Sequence, residues 1–434
     1  MSSLDRLYDT LAASAADLKN AHAPLATRAE HLSAPAAPVT PEHSSEDVRE
    51  LFMQQESLQT LAVVEGGRPI GLINRNAFME QYARPFSREL YGRKSCTTFM
   101  DTDPVVVETS TPIELLVKAA VGAGNRVLRE GFITTTRGQY AGMGTGFGLM
   151  KAMSDIEAEK TRQLLASISY ASLIQRSHLA ESDRVLQQHL PDHGLLWEPR
   201  DVVGGDAYFF RPTQGGLLGC VFDCTGHGVP GAFMTLIVLS FLEQAVDPAR
   251  DAPDPGALLT AMHRYIQRVL QQRPRTDDEK AGHPEKESSD GLDAAMFVLA
   301  SDGRSLRFAS ARLSLLVRSA GDEAVTQVDG DRAGIGYAET PDDHTWATHQ
   351  VPLGIHAMVL IPTDGVIDQI GGPKQIAHGR RRLMQFMADQ QGTTAHKLCA
   401  RFHASFGDWQ GTQRRRDDVT LLAFSNRSTQ GIAP

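Results

Sequence analysis

Asp206 closes the run Val203-Gly204-Gly205-Asp206, and Asp223 opens the run Asp223-Cys224-Thr225-Gly226-His227-Gly228. Each acid stands at the end of an apolar stretch and beside glycines. A lone carboxylate taken into a core is costly or takes up a proton. Two arriving together are read as ligands of a cation. The pattern recurs downstream. Asp364 follows Met358-Val359-Leu360-Ile361-Pro362-Thr363 and precedes Gly365, and Asp417-Asp418 precede Val419-Thr420-Leu421-Leu422. A hard ion such as Mn2+ or Mg2+ takes about six oxygens and keeps several as water. Asp206, Asp223, Asp364 and Asp417, with one or two backbone carbonyls and waters, suffice for two such ions. Glycines at 204, 205, 226, 228 and 365 let the backbone come close. Two ions polarise a phosphoryl oxygen and acidify a bridging water, which attacks phosphorus in line with no Ser or Cys nucleophile.

The elements that must position these acids are read from periodicity. Over 192–425, apolar strands are expected at Gly194–Glu198, Ala207–Phe210, Leu217–Asp223, Ala294–Leu299, Ser305–Ala309, Leu313–Arg318, Ala357–Pro362 and Val419–Phe424. Helices are expected at Val229–Val246, Pro255–Gln272, Lys374–Asp389 and Ala395–Phe406. Strand meanders with two separate helix pairs suit two antiparallel sheets packed face to face with helices outside, an αββα sandwich. The charged stretch Arg273–Gly291 reads as a flexible loop.

Upstream, 1–35 is an Ala/Ser/Pro-rich lead with a short helix marked by Leu4, Leu7, Leu11 and Leu18. Residues 36–153 alternate short helices with Gly-turn hairpins twice, an internal α/β repeat. Residues 154–191 read as one long helix. Leu165, Ile168, Leu179 and Leu186 share a heptad stripe with Ser172, Gln175 and Ser182, an imperfect seam expected to form a homodimer. A flexible tail, 426–434, completes an α+β chain.

Composition excludes several classes. The 434 residues allow two or three domains. A net charge of −9, from 43 basic and 52 acidic residues, argues against nucleic-acid binding. Arg380-Arg381-Arg382 and Arg414-Arg415-Arg416 read as solvated faces. No apolar run approaches the roughly 18 residues of a membrane span, and the N-terminus has no signal-peptide pattern. Cys96, Cys220, Cys224 and Cys399 lack zinc-site spacing and read as reduced thiols. A cytoplasmic location is expected.

Val203–Asp206, Asp223–Ala232, Thr363-Asp364-Gly365 and Asp417–Thr420 resemble, in order, the signature blocks of bacterial metal-dependent serine/threonine phosphatases (PPM, 2C-type) of the SpoIIE and RsbU branch. The resemblance spans about Glu198 to Phe424. It implies that Asp206, Asp223, Asp364, Asp417 and the Cys224 carbonyl hold two Mn2+ or Mg2+ ions. It also implies a substrate: a phosphoserine or phosphothreonine on a regulatory protein, typically an anti-sigma-factor antagonist. Asp418 is the weaker ligand choice and is expected to position its neighbours. Ser310-Ala311-Arg312-Leu313-Ser314 stands where the family carries an Ala-Gly-His block. His227 reads as a turn residue or a proton donor to the leaving oxygen, Arg200 as a surface ion pair or a phosphate contact, and Asp293 as a surface acid or a third-ion contact.

Residues 36–153 resemble a tandem CBS module, a nucleotide-sensing or dimerising unit. Asn74 and Ala77, then Thr145 and Gly148, occupy the places where such modules carry phosphate- and ribose-binding residues. Phe86–Lys94 and Gly142–Gly146 are further anion-binding candidates. A diguanylate cyclase reading of Gly204-Gly205-Asp206-Ala207 fails at Ala207, where an acid is required. A catalytically silent scaffold of the same fold is the remaining alternative.

Overall fold

The computed structural model describes residues 26–124, 126–272, 289–319, 321 and 324–426. The expected helix on Leu4–Leu18, most of the segment 273–291 and nearly all of the tail lie outside the described residues. The chain forms two compact units, 1–164 and 165–434, and the dividing line falls inside one helix.

The first unit repeats itself. Helix α1 (Ser45–Gln54) precedes the hairpin β1 (Thr60–Glu65) and β2 (Arg68–Asn74), followed by α2 (Arg75–Tyr82). After β3 (Val106–Glu108), helix α3 (Ile113–Gly122) precedes the hairpin β4 (Phe132–Thr136) and β5 (Gln139–Gly144), followed by α4 (Gly146–His189). Both hairpins slip register at matching points, Val63/Val64 and Thr134/Thr135, 71 residues apart (134 − 63). The residues flagged as ligand contacts are engaged as helix caps. Asn74 Oδ1 accepts from the Ala77 amide at 3.1 Å, and Thr145 Oγ1 from the Gly148 amide at 3.0 Å. Phe86–Lys94 contains a short helix, Ser87–Tyr91, whose Arg88 pairs with Glu46 at 3.0 Å.

The second unit stacks two five-stranded sheets. Its strands are β6 (His193–Glu198), β7 (Asp206–Thr213), β8 (Gly216–Cys224), β9 (Leu292–Ala300), β10 (Ser305–Ala311), β11 (Ser314–Arg318), β12 (Thr326–Asp329), β13 (His349–Pro352), β14 (Met358–Pro362) and β15 (Val419–Ser425). One sheet runs β13-β10-β9-β8-β7 and the other β12-β11-β14-β15-β6. Side-chain alternation divides each strand between two cores. On β15, Leu422 and Phe424 face the inter-sheet core, where Phe424 stacks on Phe297 at 5.2 Å, while Val419, Leu421 and Ala423 face an outer core. Helices α5 (Gly228–Ala245) and α6 (Pro255–Val269) cover the first sheet. After the short α7 (Asp364–Asp368), helices α8 (Arg380–Asp389) and α9 (Ala395–Gln410) cover the second. The expected αββα sandwich is thus the observed one.

Four expectations need correction. Helix α4 begins at Gly146, where Thr145 caps it, and not near 154. Helix α8 begins at Arg380, because Ile376–Ala377 pairs with Ile370–Gly371 and Gln375 takes φ +49°. Helix α5 is long and apolar enough to cross a membrane, although no such run was expected; its apolarity is used in packing, where Val238, Leu239 and Leu242 are buried in the core that includes the first sheet. The seam is divided. Gln175, Leu179, Ser182 and Leu186 are buried within the second unit, whereas Leu165 is 53% exposed. Ser182 Oγ accepts from the Phe210 amide at 3.1 Å, so α4 satisfies part of the free edge of β7. The polar residues that made the seam imperfect mark an intrachain face.

His378 lies between this second helical layer and its loops. Its ring stands 5.6–5.8 Å from those of Phe402, Phe406 and Trp409, and Nδ1 is buried without a hydrogen-bond partner. Burial, with the Arg382 charge adding, pushes its pKa down to about 4. The unfolded imidazole titrates near 6.5. Between those values the unfolded chain binds more protons, so stability is complete above about pH 6.5 and falls as pH drops toward 4. The thermal midpoint should therefore fall across this window, and less steeply in His378→Phe. Parallel pH profiles for the two proteins would contradict this.

Candidate active site

The antiparallel register of one sheet builds an acidic row. Asp206 opens β7 opposite Asp223 near the end of β8, and Asp223 is also opposite Asp293 near the start of β9. Direct cross-strand partners share a face, with Cβ atoms roughly 5 Å apart. The other sheet supplies the remaining acids. Asp364 follows β14 through Thr363, and Asp417-Asp418 lead into β15.

Asp206 is 1% exposed. Its Oδ2 accepts from Thr363 Oγ1 at 2.7 Å, tying the two sheets together, while its Oδ1 is buried with no hydrogen-bond partner. Trp197 Nε1 donates to the Asp206 carbonyl at 2.9 Å. Asp418 acts as a clamp: Oδ1 and Oδ2 accept from the amides of Arg200 and Gly205, both at 2.6 Å. Gly205 admits no side chain, because a Cβ there would stand 2.6 Å from the Gly226 carbonyl and 2.7 Å from that of Cys224. A second clamp was not expected. Gln175 on α4 donates through Nε2 to the Gly204 carbonyl at 2.7 Å and to Thr235 Oγ1 at 3.1 Å, and accepts from the Gly204 amide at 3.3 Å. Its only sequence signal was a polar residue within an apolar stripe.

The acids oppose one another's ionisation. Burial pushes Asp206 up to about 7, with the Thr363 hydrogen bond opposing and the Asp418 and Asp364 charges adding. Asp223 is raised well above the carboxylate range by burial and then by the charges of Asp206, Asp364 and Asp417. Burial also raises Asp364 and Asp418. Asp293 rises to about 6 through burial, with Arg312 pulling it back.

Such a donor set fits a hard divalent cation. Its oxygens are anionic or carbonyl, one buried oxygen lacks any partner, and positive charge would relieve the repulsion. Among the described residues, no three acid, His or Cys side chains are already converged to ligand geometry. The acids are gathered but not closed on a point. Arg200 and His227 lie apart from Asp364, on a cavity of about 620 Å³ lined by Asp201, Val202 and Pro230. Arg200 Nη1 donates to the Arg416 carbonyl at 3.0 Å, and His227 Nδ1 lies 2.9 Å from Asp201 Oδ2. Asp293 and Asp364 line a different cavity of about 230 Å³.

Gln175→Leu should leave both polar groups of Gly204 without their side-chain partner. A lost buried pairing of this kind costs about 1–3 kcal/mol. Urea unfolding of the metal-free chain should show that loss; a change below about 0.5 kcal/mol, within the range of neutral surface changes, would contradict the clamp.

The family model described as "Stage II sporulation protein E (SpoIIE)" matches residues 213–427. The solved SiaA-PP2C domain of Pseudomonas aeruginosa is 33% identical, with a TM-score of 0.53, and the match covers 62% of this chain and 99% of that one. The PP2C domain and regulatory fragment of SpoIIE from Bacillus subtilis is 13% identical, covering 55% and 62% of the two chains with a TM-score of 0.41. The RsbU and RsbW domains of a Mycobacterium tuberculosis protein are 20% identical, covering 54% and 59% with a TM-score of 0.42. No curated protein gives a significant match. With a relative one-third identical over almost its whole length, the chain belongs to the SpoIIE-type PP2C family and is a protein-serine/threonine phosphatase.

Proposed function

We propose that this phosphatase hydrolyses a phosphoserine or phosphothreonine ester on a regulatory protein of the anti-sigma-factor-antagonist kind. In this reading Asp206, Asp223, Asp364, Asp417 and the Cys224 carbonyl hold two Mn2+ or Mg2+ ions. The observation that carries it is the cross-strand pair of a buried Asp206 and a half-buried Asp223, with Asp364 raising Asp223 further and one Asp206 carboxylate oxygen lacking a partner. When bound, the ions supply charge that polarises the phosphoryl group and activates water.

The chain's own residues prepare this site. Thr363 fixes one oxygen of Asp206, and Asp418 and Gln175 hold the Gly204-Gly205 turn from opposite sides. His227 Nδ1 pairs with Asp201 on a cavity apart from Asp364, so His227 suits the turn that leads into α5 better than proton donation to the leaving oxygen. Arg200, engaged with the Arg416 carbonyl and presenting its own amide to Asp418, suits loop support better than phosphate binding.

The first unit is proposed to be a CBS-like regulatory module, and the protein to be cytoplasmic. A homodimer is proposed through the part of α4 that remains exposed, where Leu164 is 65% and Leu165 53% accessible.

With Mn2+, the full chain should turn over p-nitrophenyl phosphate, and Asp223→Asn should lose at least about a hundredfold in kcat while keeping a native circular-dichroism spectrum. Near-native turnover in that variant would sink the ligand assignment. A folded, Mn2+-saturated wild type without turnover would favour the scaffold reading. Sedimentation velocity at micromolar concentration should show a dimer that Leu164→Glu/Leu165→Glu dissociates; a wild-type monomer would contradict it.

A further inference from the structure

The acidic row continues one strand further and ends in a cation. Ala294 on β9 pairs with Ala311 on β10, which brings the next residue, Arg312, level with Asp293. Arg312 Nη1 lies 3.3 Å from Asp293 Oδ1. Its Nε donates to the Arg332 carbonyl at 3.1 Å, and its guanidinium sits 4.7 Å from the centre of the Tyr337 ring. Tyr337 is tied to the Cys224 side of the site, because its hydroxyl accepts from Thr225 Oγ1 at 2.9 Å. Nη2 of Arg312 makes no hydrogen bond among the described residues.

The backbone is committed to this placement. Arg312 adopts φ +63°, a left-handed conformation that side chains other than Gly, Asn and Asp rarely take, and its amide donates to the Asp331 carbonyl at 2.7 Å. A residue needed only to turn the chain here would be better served by glycine. Arg312 shares the cavity of about 230 Å³ with Asp293, Asp364 and a second guanidinium, Arg380, with Leu313 and Ile367 on its walls. The cavity therefore joins one of the gathered acids to a fixed guanidinium that has a spare donor.

We propose that Arg312 is a substrate-binding residue, its guanidinium pairing with phosphoryl oxygens of the phosphoserine or phosphothreonine side chain that enters this cavity beside Asp364. The inference rests on the phosphatase reading above. A guanidinium presents paired donors in a fixed fork that suits a phosphoryl group, whereas an ammonium acts as a point charge. The Arg332 carbonyl and the Tyr337 ring hold the fork in place, and the apolar walls accommodate the carbon chain of the substrate residue.

The test uses the full chain saturated with Mn2+, with inorganic phosphate titrated by calorimetry and p-nitrophenyl phosphate as the turnover probe. Arg312→Gln should weaken phosphate binding and raise KM on the order of tenfold or more, with Mn2+ affinity measured separately and unchanged. Arg312→Lys, which keeps the charge, should fall between the two and serves if the Gln variant fails to fold. Asp293→Asn removes the pairing but leaves the guanidinium, so it should keep or tighten phosphate binding. Unchanged phosphate affinity in Arg312→Gln, or in Arg312→Lys if that alone folds, would overturn the inference. So would an equal loss of affinity in Asp293→Asn, since the ion pair would then be structural. A wild type that neither turns over the probe nor binds phosphate with Mn2+ would instead be a failure of the phosphatase reading.

Discussion

Mutual repulsion among carboxylates gathered around the buried Asp206 is the constraint that governs the second unit. Asp206, Asp223 and Asp293 stand in a row because antiparallel register puts them there, and Asp364 and Asp417 reach them from the other sheet. Left alone, such a cluster would take up protons or push itself apart. The surrounding residues hold the backbone against that tendency. Thr363 bridges the sheets at Asp206, Asp418 secures two amides of the Arg200–Gly205 loop, and Gln175 grips Gly204 from the long helix. One contact fixes a carboxylate and the others fix backbone groups of the Arg200–Gly205 loop.

Helix α4 carries two duties in its second half. Leu179 and Leu186 complete the inter-sheet core, and Ser182 bonds the edge strand β7 whose first residue is Asp206. Gln175 lies one to two turns earlier, on the same stripe, and reaches the turn just before that residue. The strand that begins the acidic row is therefore braced along its length by a helix that continues into the first unit. The first part of the helix leaves Leu164 and Leu165 exposed.

Much of this was legible in the amino-acid order. Alternating apolar runs located eight strands of the sandwich to within a few residues, because each of those strands packs on both faces and shows it in composition. The acids were found because a carboxylate at the mouth of an apolar run is chemically conspicuous. The strands β12 and β13 were missed because Thr-Gln-Val-Asp and His-Gln-Val-Pro lie at sheet edges, where polar residues are tolerated and the pattern fades. The heptad stripe was misassigned because a helix facing a sheet and a helix facing its own copy bury the same spacing of leucines; only the hydrogen bonds of Gln175 and Ser182 separate the two. Arg312 could not be placed at all from sequence. Its position depends on the register of β9 against β10, and on a left-handed backbone that no composition rule gives to arginine.

The central claim is that the gathered acids are a two-cation site. Calorimetric titration of Mn2+ into the full metal-free chain tests it most directly, independently of any substrate. The account predicts two ions bound per chain, with binding abolished or reduced to one in Asp206→Asn. Binding of no ion by the folded wild-type chain, or two ions bound with unaltered affinity in the variant, would contradict it.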